Sequence, residues 1–187
     1  TSTAATAPLT IDTAAPSLSA VALAEASDTG TTGDTLTADT APAIVFSAEA
    51  GATVAVDWGD GDGFVAADAA TGAEQSATLS DAYTQDGART VTVRATDAAG
   101  NQTERGVTLT LDTEAPALSA VDLTPASDTG VADDDDLTAD ATPTIAYTAE
   151  AGAAVAIDWD DGRGFVDVAP GAGGAQTATL ATPYAAA

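Results

Sequence analysis

Three residue types that carry much of protein chemistry are missing from this 187-residue chain, which has no cysteine, no histidine and no methionine. Without cysteine there is no disulfide and no thiol chemistry, and without histidine there is no imidazole catalysis and no zinc finger. Aromatic residues make up 4% of the chain, and alanine supplies much of its 45% hydrophobic fraction. We therefore expect thin cores that depend on backbone pairing or bound ions as well as on burial.

Positive charge is also scarce, because four arginines and no lysine face 29 acidic residues, for a net charge of −25. Such a chain repels nucleic acids and anionic membranes, so neither is an expected partner. The acids either solvate the surface in a salty medium or bind cations. Aspartate greatly outnumbers glutamate, which fits acids carried on turns and on loops that wrap a hard cation.

Targeting and membrane signals are absent as well, since no signal peptide, lipidation motif or transmembrane run is found. We expect no membrane insertion. The abrupt start in Thr-Ser-Thr suggests a piece excised from a longer protein.

The sequence repeats itself at an offset of about one hundred residues. The segments DTAAP at 12–16 and SDTG at 27–30 recur as DTEAP at 112–116 and SDTG at 127–130. One extra residue then enters the acidic loop at 133–136, and from there Trp58 matches Trp159 and Tyr83 matches Tyr184. A repeat of this length indicates an array of modules.

The phase of the repeat predicts three segments. Residues 1–11 match the end of a repeat and form the terminal strand of a preceding module, residues 12–111 form a complete module, and residues 112–187 form a module lacking its last two strands.

Alternation of β-branched and polar residues, with Gly, Asp and Asn between the runs, predicts an all-β fold without a long helix. Seven strands fit the complete module: A at 17–23, B at 43–48, C at 53–58, a short hairpin partner at 64–67, E at 75–79, F at 90–96 and G at 106–111.

Several motifs resemble known bacterial modules. VDWGDG at 56–61, with TVTV at 90–93 and TDAAGN at 96–101, resembles PKD-type and related bacterial immunoglobulin-like domains. The DTxxP start and the SDTG loop resemble the tandem extender repeats of giant bacterial adhesins. The resemblance implies tandem immunoglobulin-like β-sandwich modules of about 100 residues, each with a buried tryptophan on strand C, strung together with Ca²⁺ at or near their junctions. It also implies a secreted bacterial cell-surface protein.

Strand order places the acids at the two ends of a module. With seven strands, the A–B loop lies beside the exit linker and the F–G loop beside the entry linker, so oxygen donors converge on each joint. Calcium takes six to eight oxygen ligands, and such a joint can supply them. The candidate metal ligands are Asp12, Asp28, Asp34, Asp97, Asn101, Asp112, Asp128 and Asp135.

Simpler interpretations of these acids stay open. The SDTG segment can be an ordinary turn with solvated carboxylates. Asp57, Asp60 and Asp62 lie among glycines of a tight hairpin, where turn chemistry is favoured over a calcium loop. Asp57 and Asp60 also have the pairing of glycosidase carboxylates, but their recurrence in each module without a cleft-forming insertion argues against that role.

The leading functional hypothesis is a structural extender of a large secreted adhesin, stiffened by calcium at the joints between neighbouring modules. The alternative is a subunit of a surface filament or surface-layer lattice, in which a like chain completes the incomplete module by strand addition. A glycan-binding module finds no support because exposed aromatics are scarce. An enzyme ranks last, because no nucleophile, base or cofactor motif occurs at an informative spacing.

Overall fold

The computed structural model describes residues 9–132 and 135–184 of the chain. The chain forms two compact units, Thr1–Thr113 and Glu114–Ala187, here called the first unit and the second unit. All regular elements in the described ranges are β-strands. Within this part of the chain, no helix is long and apolar enough to span a bilayer.

The described residues of the first unit form eight strands. They are β1 (Ala22–Leu23), β2 (Leu36–Thr37), β3 (Ala43–Ser47), β4 (Thr53–Asp57), β5 (Phe64–Ala66), β6 (Glu74–Thr78), β7 (Gly87–Thr96) and β8 (Gln102–Leu111). One sheet has the order β1-β3-β6 and the other the order β2-β8-β7-β4-β5. Alternate residues of β3, β4 and β7 are buried, as expected for strands with one face turned toward a core. The core between the sheets includes the fully buried Ile44, Val91, Val93 and Leu109.

Residues 114–132 and 135–184 of the second unit form five strands. They are β9 (Leu118–Leu123), β10 (Thr144–Ala149), β11 (Ala156–Asp158), β12 (Phe165–Asp167) and β13 (Ala175–Thr179). The first sheet has the order β13-β10-β9, and the second consists of β11 and β12 alone. The described residues of this unit include no counterpart of β2, β7 or β8.

Strand A departs from its predicted continuous form over 17–23. In the first unit it is reduced to a bridge between Leu18 and Ala48, followed by β1. In the second unit the strand is complete, but its register with β10 shifts, and Ala120 adopts a positive φ of 53°. Strand A therefore carries an irregularity in both units, as strands at a sheet edge often do.

The short strand β2 was missed by sequence analysis. It pairs in parallel with the end of β8, Leu36 opposite Thr110 and Thr37 opposite Leu111. Thr110 N donates to Thr35 O at 3.0 Å and Asp112 N to Thr37 O at 2.9 Å. These bonds hold the A–B loop beside the chain that leaves the first unit.

Candidate functional site

The A–B loop of the first unit is fixed by the hydroxyl groups of its SDTG motif. Ser27 Oγ donates to Asp39 Oδ2 at 2.7 Å and accepts from Ala43 N at 3.0 Å. Thr29 Oγ1 accepts from Ala38 N at 2.7 Å. Turn chemistry therefore accounts for the serine and the threonine of the motif.

Asp28 is not fully accounted for by this turn. Its Oδ2 accepts a hydrogen bond from Gly33 N, but its Oδ1 is buried without any hydrogen-bond partner. A buried carboxylate oxygen without a partner is costly, because an ionised group loses its hydration and gains nothing in return. This oxygen therefore has an unused capacity to bind a proton donor or a cation.

The second unit repeats this arrangement. Ser127 Oγ donates to Asp140 Oδ2 at 3.0 Å and accepts from Thr144 N at 2.9 Å. Hydrogen bonds from Thr142 N and then from Ser127 lower the pKa of Asp140 below its ordinary value. Asp128 is 91% buried, and its Oδ1 again has no hydrogen-bond partner. A buried carboxylate oxygen without a hydrogen-bond partner thus occurs at equivalent positions of the A–B loops of both units.

Two further acids lie at this loop of the second unit: Asp136, from the acidic run 133–136 that the sequence placed at the next joint, and Asp122, which sequence analysis missed. A hydrogen bond with Asp122, together with the negative charges of Asp122 and Asp128, raises the pKa of Asp136 above its ordinary value. The first unit has Ala22 and Thr35 at the equivalent positions. Asp136 adopts a positive φ of 57°, and the equivalent Thr35 adopts a positive φ of 62°. The repeat offset alone could not have identified this carboxylate pair.

The remaining exit-side candidates occupy the same region but have different partners. Asp34 Oδ1 accepts from Leu36 N at 2.9 Å, and the equivalent Asp135 Oδ1 accepts from Leu137 N at 3.2 Å. Asp112 is placed beside Thr37 by its backbone bond to that residue. Among the residues that the structure describes, no three acids are arranged as a ready-made metal site.

Asp86 holds the exit segment and was not predicted. Its carboxylate accepts from Thr113 N at 3.1 Å and from Thr113 Oγ1 at 2.9 Å. The carboxylate therefore fixes the first residue beyond the Asp112 candidate. The pairing of Asp86 with Thr113 spans 27 residues, so no local sequence pattern could have revealed it.

At the entry side, the structure brings Asp12, Asp97 and Asn101 together. Asn101 Nδ2 donates to Asp12 O at 3.2 Å and to Asp97 Oδ2 at 2.9 Å. Asp97 Oδ1 also accepts from Ala99 N at 2.8 Å and Asn101 N at 2.9 Å. The hydrogen bond from the Asn101 side chain is the main cause of the lowered pKa of Asp97. The predicted proximity is therefore present, and hydrogen bonds occupy both carboxylate oxygens of Asp97.

The acids of the glycine-rich hairpin act within their own turn. Asp57 Oδ1 accepts from Gly59 N at 2.9 Å and Asp60 Oδ1 from Asp62 N at 3.0 Å. Asp158 Oδ1 makes the corresponding bond to Asp160 N at 2.9 Å in the second unit. These contacts are what turn chemistry requires of aspartate.

A tyrosine ties this hairpin to the core. Tyr83 Oη donates to the carbonyl oxygen of Trp58 at 2.6 Å, and Tyr184 Oη bonds to the carbonyl oxygen of Trp159 in the same way. Burial, reinforced by the negative charge of Asp60, raises the pKa of Tyr83 to about 12.

We expect Tyr83→Phe to lower the free energy of unfolding of the first unit by about 1–3 kcal/mol, because the buried Trp58 carbonyl loses its donor. Since the folded pKa lies above the ordinary value of 10.0, the contribution of Tyr83 is complete below pH 10 and is lost as the pH rises through 12. Urea denaturation from pH 8 to pH 12 measures both effects. An equally steep alkaline loss in Tyr83→Phe contradicts the assignment.

The comparison with family models identifies the fold. The model described as bacterial Ig-like domain matches residues 15–113 and again residues 115–186. The chain belongs to this bacterial Ig-like family. A search of curated proteins gives no match.

Membership of the bacterial Ig-like family confirms the predicted fold class, all-β modules with an immunoglobulin-like sandwich arranged as a tandem repeat. Domains of this family are typically structural and non-enzymatic, and they commonly occur in surface proteins. Family membership therefore makes the chain a structural repeat of the kind found in bacterial surface proteins.

Proposed function

We propose that the chain is a spacer segment of a large secreted adhesin, in which Ca²⁺ bound at the A–B loop stiffens the joint that follows each module. The family match supports a structural surface repeat, and the extender-like DTxxP and SDTG motifs support the adhesin. The length of such an array is its function, because it holds a terminal domain away from the cell.

One observation carries the calcium proposal: Asp28 Oδ1 and Asp128 Oδ1 are both buried without a hydrogen-bond partner. Ca²⁺ uses carboxylate oxygens together with backbone carbonyls and water as ligands, and each of these two oxygens can supply one such ligand. Asp28, together with Asp34 and Asp112, is proposed to hold the ion of the first unit. β2 keeps this loop beside the exit segment, so an ion bound there restrains the linker.

In the second unit, Asp128 and Asp135 are proposed to bind Ca²⁺ together with Asp122 and Asp136. The pKa of Asp136 is raised chiefly by its hydrogen bond with Asp122 and further by burial and by the negative charges of Asp122 and Asp128, which repel it. A divalent cation removes that repulsion, whereas a monovalent cation only screens it. The proposed role of Asp12, Asp97 and Asn101 is at the preceding joint, where they connect the entry segment to the F–G loop.

We expect calcium to raise the melting temperature of both units by about 10 °C or more when its concentration reaches roughly 100 times the Kd. Asp28→Asn should abolish the rise for the first unit and Asp128→Asn the rise for the second, because each removes an unpartnered buried charge. Differential scanning calorimetry in calcium and in chelator, at constant high sodium chloride, provides the measurement.

Asp68→Asn is the matched control, since it makes the same charge change at an exposed position. In chelator, Asp28→Asn should melt no lower than the parent chain, which separates a metal ligand from a residue that merely supports the turn. Identical melting in calcium, magnesium and chelator overturns the proposal.

Stiffening is measured on the same protein. Because the chain lacks cysteine, Ala69→Cys and Ala169→Cys, both at exposed positions in different units, introduce two spin labels. Calcium should narrow the distribution of label-to-label distances, and Asp28→Asn should prevent the narrowing. If calcium raises the melting temperature but does not change the width of the distance distribution, the ion stabilises the module without stiffening the joint.

A further inference from the structure

A cleft opens along one side of the first unit, between the edges of its two sheets. β6 is the last strand of the three-stranded sheet, and β5 is the last strand of the five-stranded sheet. The cleft between them has a volume of about 540 Å³, and the consecutive residues 65–68 and 76–81 line it. Successive side chains of a strand point to opposite faces, so a lining without gaps means that the backbone edges of both strands border this edge cleft.

The floor of the edge cleft is apolar, because the inner face of β5 is left uncovered. Val65 pairs with Val56, and residues directly opposite each other in an antiparallel pair share one face of the sheet. Val56 is 1% exposed, whereas Val65 is 51% exposed. The facing sheet has three strands against five and does not reach over Val65. A chain that fills the cleft therefore buries this valine and packs beside Trp58 and Leu79.

The edge of β6 is able to accept another strand. β6 pairs with β3 through all five of its residues, Glu74–Thr78, in an uninterrupted register. Among the strands that the structure describes, none pairs with its other edge. Proteins commonly protect such an edge with lysine, proline or a β-bulge, and β6 contains none of these. Its free N–H and C=O groups are therefore a template for backbone pairing.

The rim of the edge cleft is negatively charged. Four exposed carboxylates lie on it, those of Asp60, Asp62, Asp68 and Asp81. None of them belongs to the ion pairs that the described residues form. Arg89 lies beside the neighbouring groove, but its guanidinium donates to Gln85 O at 2.9 Å instead. The rim thus keeps its charge and attracts a positively charged partner.

The arrangement of these acids favours several separate positive charges over a single metal ion. In the described part of the chain, no three acids are placed to hold one cation together. A second copy of the chain does not match the rim, because its net charge is −25 and the two copies repel each other. An extended basic segment matches it, since alternate side chains of a strand point the same way.

The second unit shows how a positive side chain fits at this place. Its equivalents of Asp62, Asp68 and Asp81 are Arg163, Ala169 and Thr182. Arg163 Nη1 lies 3.8 Å from Asp161 Oδ2, and Asp161 is the equivalent of Asp60. The second unit therefore neutralises with its own arginine a position that the first unit leaves negative.

We infer that the edge cleft of the first unit is a docking site for an extended segment of a basic partner protein. The segment pairs with the free edge of β6 as an added strand. Its apolar side chains pack against Val65 and the floor, and its arginine or lysine side chains, alternating with them, face the four carboxylates of the rim. This inference does not depend on calcium binding or on the spacer function.

Titration of the full chain with a peptide of about ten residues that alternates arginine and valine tests the inference. Isothermal calorimetry should show binding that weakens with added salt, and hydrogen exchange should show protection of the β6 amides. A peptide that alternates arginine and serine has the same charge but no apolar face, and it should bind about tenfold more weakly or less. An arginine–valine peptide with N-methyl groups along one edge should not protect β6.

Asp62→Arg gives the rim the residue found in the second unit, and it should weaken binding about tenfold. Glu25→Arg is the matched control, because it makes the same charge change at an exposed position that does not line the cleft, and it should leave binding nearly unchanged.

Val65→Asp separates docking in the cleft from simple charge attraction. The substitution adds a negative charge, so attraction alone predicts tighter binding of a cationic peptide. Packing of an apolar side chain against Val65 predicts binding about tenfold weaker, because a carboxylate then faces that side chain. Val65 is half exposed, so the variant should melt close to the parent chain.

Three results overturn the inference: equal effects of Asp62→Arg and Glu25→Arg, equal binding of the valine and serine peptides, or no protection of the β6 amides. Dimers of the chain alone that protect the same amides also overturn it, because a second copy then occupies the edge.

Discussion

Replacing Trp58 by alanine is expected to lower the free energy of unfolding of the first unit by about 3–5 kcal/mol. The side chain is 5% exposed and belongs to a core that also contains Phe46 and Tyr83 but is otherwise built from the smaller side chains of valine, leucine, isoleucine and alanine. Such small neighbours cannot fill the space of an indole without moving the backbone, so a cavity remains. Urea denaturation followed by circular dichroism measures the change.

Trp58→Phe is the matched control for this prediction, because it keeps an aromatic ring in the core. This variant should lose clearly less unfolding free energy than Trp58→Ala. The Tyr83 hydroxyl should still donate to the carbonyl oxygen of residue 58, because that acceptor belongs to the backbone. Truncating a large buried side chain usually lowers the free energy of unfolding by several kcal/mol. If Trp58→Ala lowers it by less than about 1 kcal/mol, the indole is not part of the core.

Gly59→Asp is expected to destabilise the first unit by about 2–4 kcal/mol. This figure combines the backbone strain of a non-glycine residue at positive φ with the steric cost of overpacking. Gly59 has a φ of 68°, and a Cβ at this position meets the Thr90 carbonyl oxygen at 2.8 Å. The contact is with backbone, so the strand itself must shift. Thermal and urea unfolding of the variant provide the measurement.

The reverse change supplies the internal control. Asp160→Gly in the second unit relieves a φ of 54°, and no strand among the described residues crosses this position. The second unit should therefore be stabilised or unchanged. Equal and small effects of the two substitutions would contradict the close passage of β7 over Gly59.

Elements with a strong local signal were predictable from the sequence. The alternating runs 90–96 and 106–111, the hairpin between β4 and β5 and the buried tryptophans follow from side-chain periodicity and glycine placement, although β7 and β8 begin three to four residues earlier than predicted. β2 was not predictable, because two residues have no period. It forms where β8 offers an unpaired edge. Leu137 and Thr138, its counterparts in the second unit, accordingly lie outside any strand.

Part of the candidate site could likewise be predicted from the sequence, and part could not. The recurrence of Asp28 and Asp128 at the repeat offset marked both as candidates, and the structure adds that one oxygen of each is buried without a hydrogen bond. Burial of a single atom depends on packing that no pattern of residue types records. The pairing of Asp122 with Asp136 joins a strand residue to a loop residue, and Asp136 adopts a φ of 57° there, which sequence reasoning does not assign to an aspartate in advance.

The parallel pairing of β2 with β8 also determines how the first unit bears mechanical load. Pulling the chain at Asp112, away from the module, draws β8 along its own axis, while β2 is held back through the A–B loop. Because the two strands run in the same direction, their cross-strand hydrogen bonds are loaded in shear and must break together. An antiparallel hairpin pulled from its open end yields one bond at a time. We therefore expect the two-residue strand to resist extension of the chain at the point where it leaves the first unit.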